Sequence, residues 1–141
     1  PELYDNIHQK YHGSFIKVRD EFEINDILLI DRKGNVVYSV NKKIDFAQNL
    51  LTSPLQHNGA GALFKRLLQS HEEEDVVFRD YEHYIPNYYV PSCFIGTPIY
   101  IRNAERKDGK EKMGAIIFQL SDTKLSNLLS LVCCQAVKRT L

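Results

Sequence analysis

F-R-D-Y-E-H-Y-I-P-N-Y-Y-V-P-S-C-F-I-G-T-P-I-Y, residues 78–100, holds five of the chain's eight tyrosines and three of its five prolines. Proline fixes φ and has no N–H to donate, so this stretch does not build a helix. Its last third reads as a buried strand. The part before it reads either as a shaped loop that lines a pocket with rings and hydroxyls, or as tyrosines covering a sheet edge.

Outward from this stretch the periods are regular. On the C-terminal side, Asp108-Gly109 lies in a charged turn (residues 103–112) between a fourth strand (92–101) and a fifth (113–120), which makes a hairpin. Ser121 or Asp122 then caps a closing helix with Leu125, Leu128, Leu129 and Val132 on one face. On the N-terminal side, Val76-Val77-Phe78 starts a third strand, and the acidic run 72–75 before it is a solvated turn. Upstream, Asn58 caps a helix over residues 59–70 whose core stripe is Leu63, Phe64, Leu67 and Leu68. Two β-branched runs, 27–30 and 36–40, flank a polar segment containing Gly34 and form a first hairpin. Residues 41–57 connect the hairpin to the helix. Residues 2–22 carry Leu3, Ile7, Tyr11, Phe15, Val18 and Phe22 at spacings of three or four, an amphipathic helix with Gly13 in its middle.

The order is therefore helix, two strands, helix, three strands, helix. Hairpin connections make a sheet of about five strands mostly antiparallel, with helices packed on it: an α+β domain over residues 1–132, followed by a tail or linker at 133–141.

With 141 residues and 18 basic against 18 acidic side chains, the chain fits one domain and has no basic footprint for nucleic acid. No apolar run approaches the ~20 residues that cross a bilayer. The first residue is Pro1 rather than Met, which reads as a segment excised from a longer protein. Cys93, Cys133 and Cys134 are odd in number and two are adjacent, so they imply reduced thiols rather than a disulfide framework. No zinc-ligand spacing, phosphate loop, nucleophile elbow or catalytic cysteine signature occurs, and neither an active site nor a cofactor is expected. His8 and His12 are four apart on the first helix, but no Glu follows the first and no third ligand is evident. They read as surface histidines. Asp31, Asp45 and Asp80 are the carboxylates that could pair in space, a point that sequence leaves open.

The residues Y-D-N-I-H-Q-K-Y-H (4–12), I-L-L-I-D (27–31), V-V-Y-S-V-N-K-K-I-D-F-A-Q-N-L (36–50), D-Y-E-H-Y-I-P-N (80–87), V-P-S-C-F-I-G-T-P-I (90–99) and M-G-A-I-I-F-Q-L (113–120) follow one another in an order that resembles Cache sensor domains. These are PAS-like extracytoplasmic input modules of bacterial chemoreceptors, histidine kinases and nucleotide cyclases. The resemblance covers residues 4–129. It departs from the family pattern at Asn41 and Lys43, where Phe and Glu are usual, at Pro86-Asn87 in place of Pro-Ser, at Ser92-Cys93, and in the tail. The chain has no Trp, so the arginine-and-tryptophan signature of amino-acid-binding members is absent.

The resemblance implies a ligand sensor, not a catalyst. A small polar molecule would sit on the sheet under the loops, lined by Tyr38, Asp45, Asp80, Tyr81, Tyr84, Asn87, Ser92 and Phe94, and binding would shift the first and last helices. The implied partners are that ligand and a second copy across the first helix. Membrane contact would come only through flanking segments outside this chain, with the domain extracytoplasmic and a kinase or cyclase as output. The same fold also serves dimerisation modules with a vestigial pocket and cytosolic PAS-like cofactor binders.

Overall fold

Asp31 organises the first turn. One of its carboxylate oxygens accepts from the backbone N–H groups of Lys33 and Asn35, at 2.9 Å each, while the other accepts from the Asn35 side chain. Gly34 between them takes φ 92°, a conformation that favours glycine. The strands so joined, β1 (Asp26–Asp31) and β2 (Val36–Ser39), pair antiparallel. In the computed structural model the described residues are 2–57 and 59–123, and beyond these 127, 130, 131, 134, 135, 138 and 139.

Three further strands complete one sheet: β3 (Val77–His83), β4 (Pro91–Arg102) and β5 (Lys110–Ser121). The spatial order is β2-β1-β5-β4-β3, with every neighbouring pair antiparallel. The first and last strands thus lie side by side at the centre, and β2 and β3 form the edges. The expected α+β architecture with a five-stranded antiparallel sheet is what the chain adopts.

Strand alternation gives the sheet two apolar faces. Leu28, Ile30, Val36, Phe94, Ala115 and Ile117 belong to an inner core completed by α2 (Gly59–Gln69). Helix α2 inserts Leu63, Phe64 and Leu67, each worth about 2 kcal/mol on full burial. It lies close to β4 because Gly96 has no side chain: a Cβ there would meet Leu63 and Leu67 methyls at 3.0 Å. Both ends of α2 are held by other elements. The N–H of Gly59 donates to the Glu82 carboxylate of β3, and Lys112 Nζ of β5 donates to the carbonyls of Leu67 and Leu68, 2.9 Å each. A cation at a helix C-terminus also complements the helix dipole.

The opposite, outer face buries Ile24, Ile27, Tyr38 and Val40 against Phe15, Ile16 and Val18 of α1 (Glu2–Glu21). The helix has the expected bounds, yet none of its residues is buried. Leu3, Ile7 and Tyr11 of the expected stripe are exposed, because the apolar contacts of α1 with the sheet come from Phe15, Ile16 and Val18 in its C-terminal half, and Phe22 is exposed just past its end. Nor are its histidines mere surface groups. His8 and His12 stack at 4.3 Å between ring centroids, His12 Nδ1 lies 2.7 Å from Tyr38 Oη, and His8 Nε2 is buried without a partner.

Strand β3 runs to His83, so the first half of residues 80–87 is edge strand rather than loop. R-D-Y-E-H has no β-branched residue, but an edge strand tolerates polar side chains because one side faces solvent. The expected cap Asn58, the closing-helix stripe Leu125, Leu128, Leu129 and Val132, and Cys133 lie outside the described residues. Asp122, Thr123, Asn127, Ser130 and Leu131 are helical and exposed.

Candidate functional site

The inner face is apolar under α2 and polar at one end. Asp26 opens β1, and its strand partner is Gln119 near the end of β5, which in turn pairs with Phe94 of β4. These three side chains form a row across the sheet. The short connection between β3 and β4, residues 84–90, folds over it through a 3-10 turn, Ile85–Asn87. Tyr84 packs edge-on against Phe94, 4.8 Å between centroids. Tyr84 Oη also reaches Asp45 in the connection between β2 and α2, donating to Oδ2 at 3.1 Å. Asp26, Ser39, Asp45, Tyr84, Ser92 and Gln119 are each 0% exposed.

Asp26 is a fully used acceptor. Its Oδ1 takes the N–H groups of Ile27, Val40 and Asn41 at 2.8, 3.0 and 3.2 Å, and its Oδ2 takes the Ser39 hydroxyl at 3.0 Å. These bonds fasten the entry of β1 to the exit of β2.

A second chain of bonds has a direction fixed by chemistry. Lys43 can only donate, so its contact at 2.7 Å identifies the acceptor oxygen of Asn87. The Asn87 amide nitrogen therefore points the other way and donates to Ser92 Oγ at 3.0 Å. The Ser92 proton goes to the Val90 carbonyl at 3.2 Å, leaving that hydroxyl to accept again, from Gln119 Nε2 at 3.0 Å. Gln119 Oε1 is consequently left over. With no partner, it joins Asp45 Oδ1 and His8 Nε2 as the buried polar side-chain atoms left unbonded among the described residues. Two of these three lie on the polar end of the inner face, and both are acceptors.

The electrostatics follow. Burial, then the charge of nearby Asp26, raises the Asp45 pKa, against the Tyr84 hydrogen bond and Lys43, which act to lower it. Tyr84 is itself pushed well above an ordinary tyrosine, first by burial and then by Asp45, so its phenol remains a donor. The arrangement can bind and orient. No nucleophile with an activating base is part of it, and no group of three metal-ligating side chains occurs among the described residues.

Of the eight residues expected to line a pocket, Asp45, Tyr84, Asn87, Ser92 and Phe94 meet here. The other three do not. Tyr38 lies on the outer face, because a bulge opposite Leu29 and Ile30 shifts the register and puts Val37 and Tyr38 on the same groove under α1. Asp80 is exposed on the edge strand and spends a carboxylate oxygen on the N–H of Tyr81. Tyr81 lies beside Cys93, burial raises its pKa to about 12, and it lines with Asp80 a separate groove of 310 Å³ between β3 and α2. Reading the sequence missed Asp26, Ser39, Lys43 and Gln119. The signal for two of them was present: Asp26 and Gln119 stand at inner positions, each beside an apolar run of its strand.

No family model matches the chain, and no curated protein matches it. Solved structures do match, among them the sensor domain of the V. cholerae histidine kinase DctB. The TM-score is 0.56 and the identity 16%, over 84% of this chain and 37% of that one. The fold is that of a Cache-type sensor domain. At this identity the likeness carries the Cache fold alone, and the chain spans little more than a third of its neighbour. That neighbour is a sensor domain rather than a catalytic one. No helix among the described residues is long and apolar enough to cross a membrane.

Proposed function

We propose that this Cache-type domain is the ligand-sensing input module of a bacterial transmembrane receptor. It takes a small molecule at the polar end of the inner face and does no chemistry on it. The observation that carries the reading is the pair of unbonded acceptors, Asp45 Oδ1 and Gln119 Oε1, sealed beneath residues 84–90. Buried polar atoms are nearly always bonded, so two orphans at the polar end of one face mark a place built for a further donor. A ligand there would press on Tyr84 and Asn87 and, through the Asp26 bonds, on the joint between β1 and β2 that supports α1. Displacement of α1 is the signal we assign to it, passed to an output domain such as a kinase or cyclase across the membrane. The domain would then be extracytoplasmic.

Thermal shift of the chain against a metabolite panel tests this, with Gln119→Leu as the control. A compound that binds only the folded state raises the melting temperature in proportion to the logarithm of its concentration. The expected hit stabilises the native chain and loses most of its effect in Gln119→Leu. A panel with no hits, or hits indifferent to that variant, overturns the reading. A second role is favoured by Leu3, Ile7 and Tyr11, which are 74%, 50% and 48% exposed along α1. An apolar stripe of this kind suits a homodimer seam, and sedimentation of Ile7→Glu against the native chain checks it.

A further inference from the structure

The direction of the hydrogen bonds at the polar end of the inner face says what a ligand must bring. Both unsatisfied atoms are acceptors: Gln119 is the partner of Asp26 across the strands, and the charge of Asp26 acts on Asp45. The donors nearby are committed. Tyr84 serves Asp45 Oδ2, Ser39 serves Asp26, and Lys43 serves Asn87. Two carboxylates therefore face one ammonium, and that ammonium is bonded to an amide rather than to either of them.

We propose that the ligand is a small organic cation with N–H donors, a primary or secondary ammonium, bound between Asp45 Oδ1 and Gln119 Oε1. The proposal rests on the sensing function above and names its ligand class. An anion would place a third negative charge beside two, and would offer no proton to either orphan. A neutral alcohol could satisfy one acceptor but would leave the charge imbalance. A bare metal ion lacks its ligand set, since no three His, Cys, Asp or Glu side chains gather among the described residues. An ammonium meets both demands, because charge-assisted bonds to a buried carboxylate are the strong ones. The groups that face Asp45 are Asp26 from β1, Lys43 from its own connection and Tyr84 from the β3–β4 turn. Of these only Lys43 is cationic. Over this end lie residues 84–90, where Tyr88 and Tyr89 are exposed and both hold left-handed backbone, φ 53° and 60°.

The test is a titration of the chain near neutral pH with chloride salts of methylammonium, ethanolamine and tetramethylammonium. Sodium acetate and acetamide serve as the anionic and neutral counterparts, all at constant ionic strength. Melting temperature and isothermal calorimetry are the readouts. Methylammonium or ethanolamine is expected to raise the melting temperature saturably, while tetramethylammonium, a cation without N–H donors, is not. Asp45→Asn and Gln119→Leu should each weaken binding by about tenfold or more, the loss of one hydrogen bond to a charged group. If acetate or acetamide binds and the ammonium salts do not, the ligand class is wrong and the sensing function stands. If nothing in any class binds, both fail. Ammonium binding that persists unchanged in both variants also overturns the proposal, because the cation is then held elsewhere.

Discussion

Replacing Asp45 by Asn should make this domain more stable, an unusual outcome for a buried residue. Asp45 is fully buried, its Oδ2 accepts one bond from Tyr84, and its Oδ1 accepts none. A buried polar atom left unbonded costs about 1–3 kcal/mol, and more when it carries charge. Asn keeps an acceptor for Tyr84 and the same volume but removes the charge and its repulsion from Asp26, for a net gain of about 1–2 kcal/mol. Unfolding entropy scales with chain length, so this corresponds to a melting temperature about 3–7 °C higher. The pH dependence identifies the cause. The fold raises the Asp45 pKa above 3.8, so between that value and the raised one the native state binds more protons than the unfolded chain. Stability contributed by this group is present below the ordinary carboxylate pKa and is lost as pH rises through the folded one. The advantage of Asp45→Asn should therefore be largest near pH 8, shrink as the pH falls through the Asp45 titration, and vanish where Asp45 is protonated in both states. Urea denaturation of both chains across this range measures it. An Asp45→Asn chain less stable near pH 8, or a difference independent of pH, would refute the reasoning. A stabilised variant that has lost its ligand is what a residue kept for binding rather than folding should give.

Lys112→Met should lower the urea midpoint, costing about 2 kcal/mol, because its ammonium binds three carbonyls (Leu67, Leu68 and Ser70) at the end of α2. An unchanged midpoint would mean that those carbonyls find other donors. Gly61→Ala should cost about 3 kcal/mol, since a Cβ there would lie 2.0 Å from the Leu55 carbonyl oxygen and α2 would have to lift off the turn Pro54–His57. A melting temperature equal to the native chain's would exclude that close approach. His12 should make α1 sensitive to pH. Burial, then His8, Lys42 and Arg19, lowers its pKa below 6.5, so the folded state favours the neutral ring against Tyr38. Its contribution is complete above 6.5 and is lost as pH falls from there through the folded value. Amide exchange in α1 should quicken over that window in the native chain and stay flat in His12→Gln.

What the sequence revealed and what it concealed divide along physical lines. Both hairpins and the α2 stripe could be read because period 2 and period 3.6 are written directly into apolar residues such as Ile27–Ile30 and Leu63-Phe64-Leu67. Three things escaped. The bulge in β2 depends on how β1 pairs with it, and moving one residue of register carried Tyr38 to the opposite face. Strand β3 is polar because it is an edge, and whether a strand is an edge is a property of the sheet. The exposed stripe of α1 obeyed the helical period without saying how much of it would find a partner. The polar site sits between these cases. Alternation places Asp26, Leu28 and Ile30 on one face, and Ala115, Ile117 and Gln119 on that same face of the neighbouring strand. Followed to their ends, both rows turn polar at the same edge of the core, opposite Ser92 at the start of β4. Helix α2 covers the sheet over Gly96 and reaches Phe94 only with its first residue, Gly59, so residues 84–90 complete the cover at that edge. Polar side chains are affordable only where a loop rather than an apolar helix face lies above them. Burying Asp26 and Gln119 thus goes with cover by residues 84–90 at this end of the sheet.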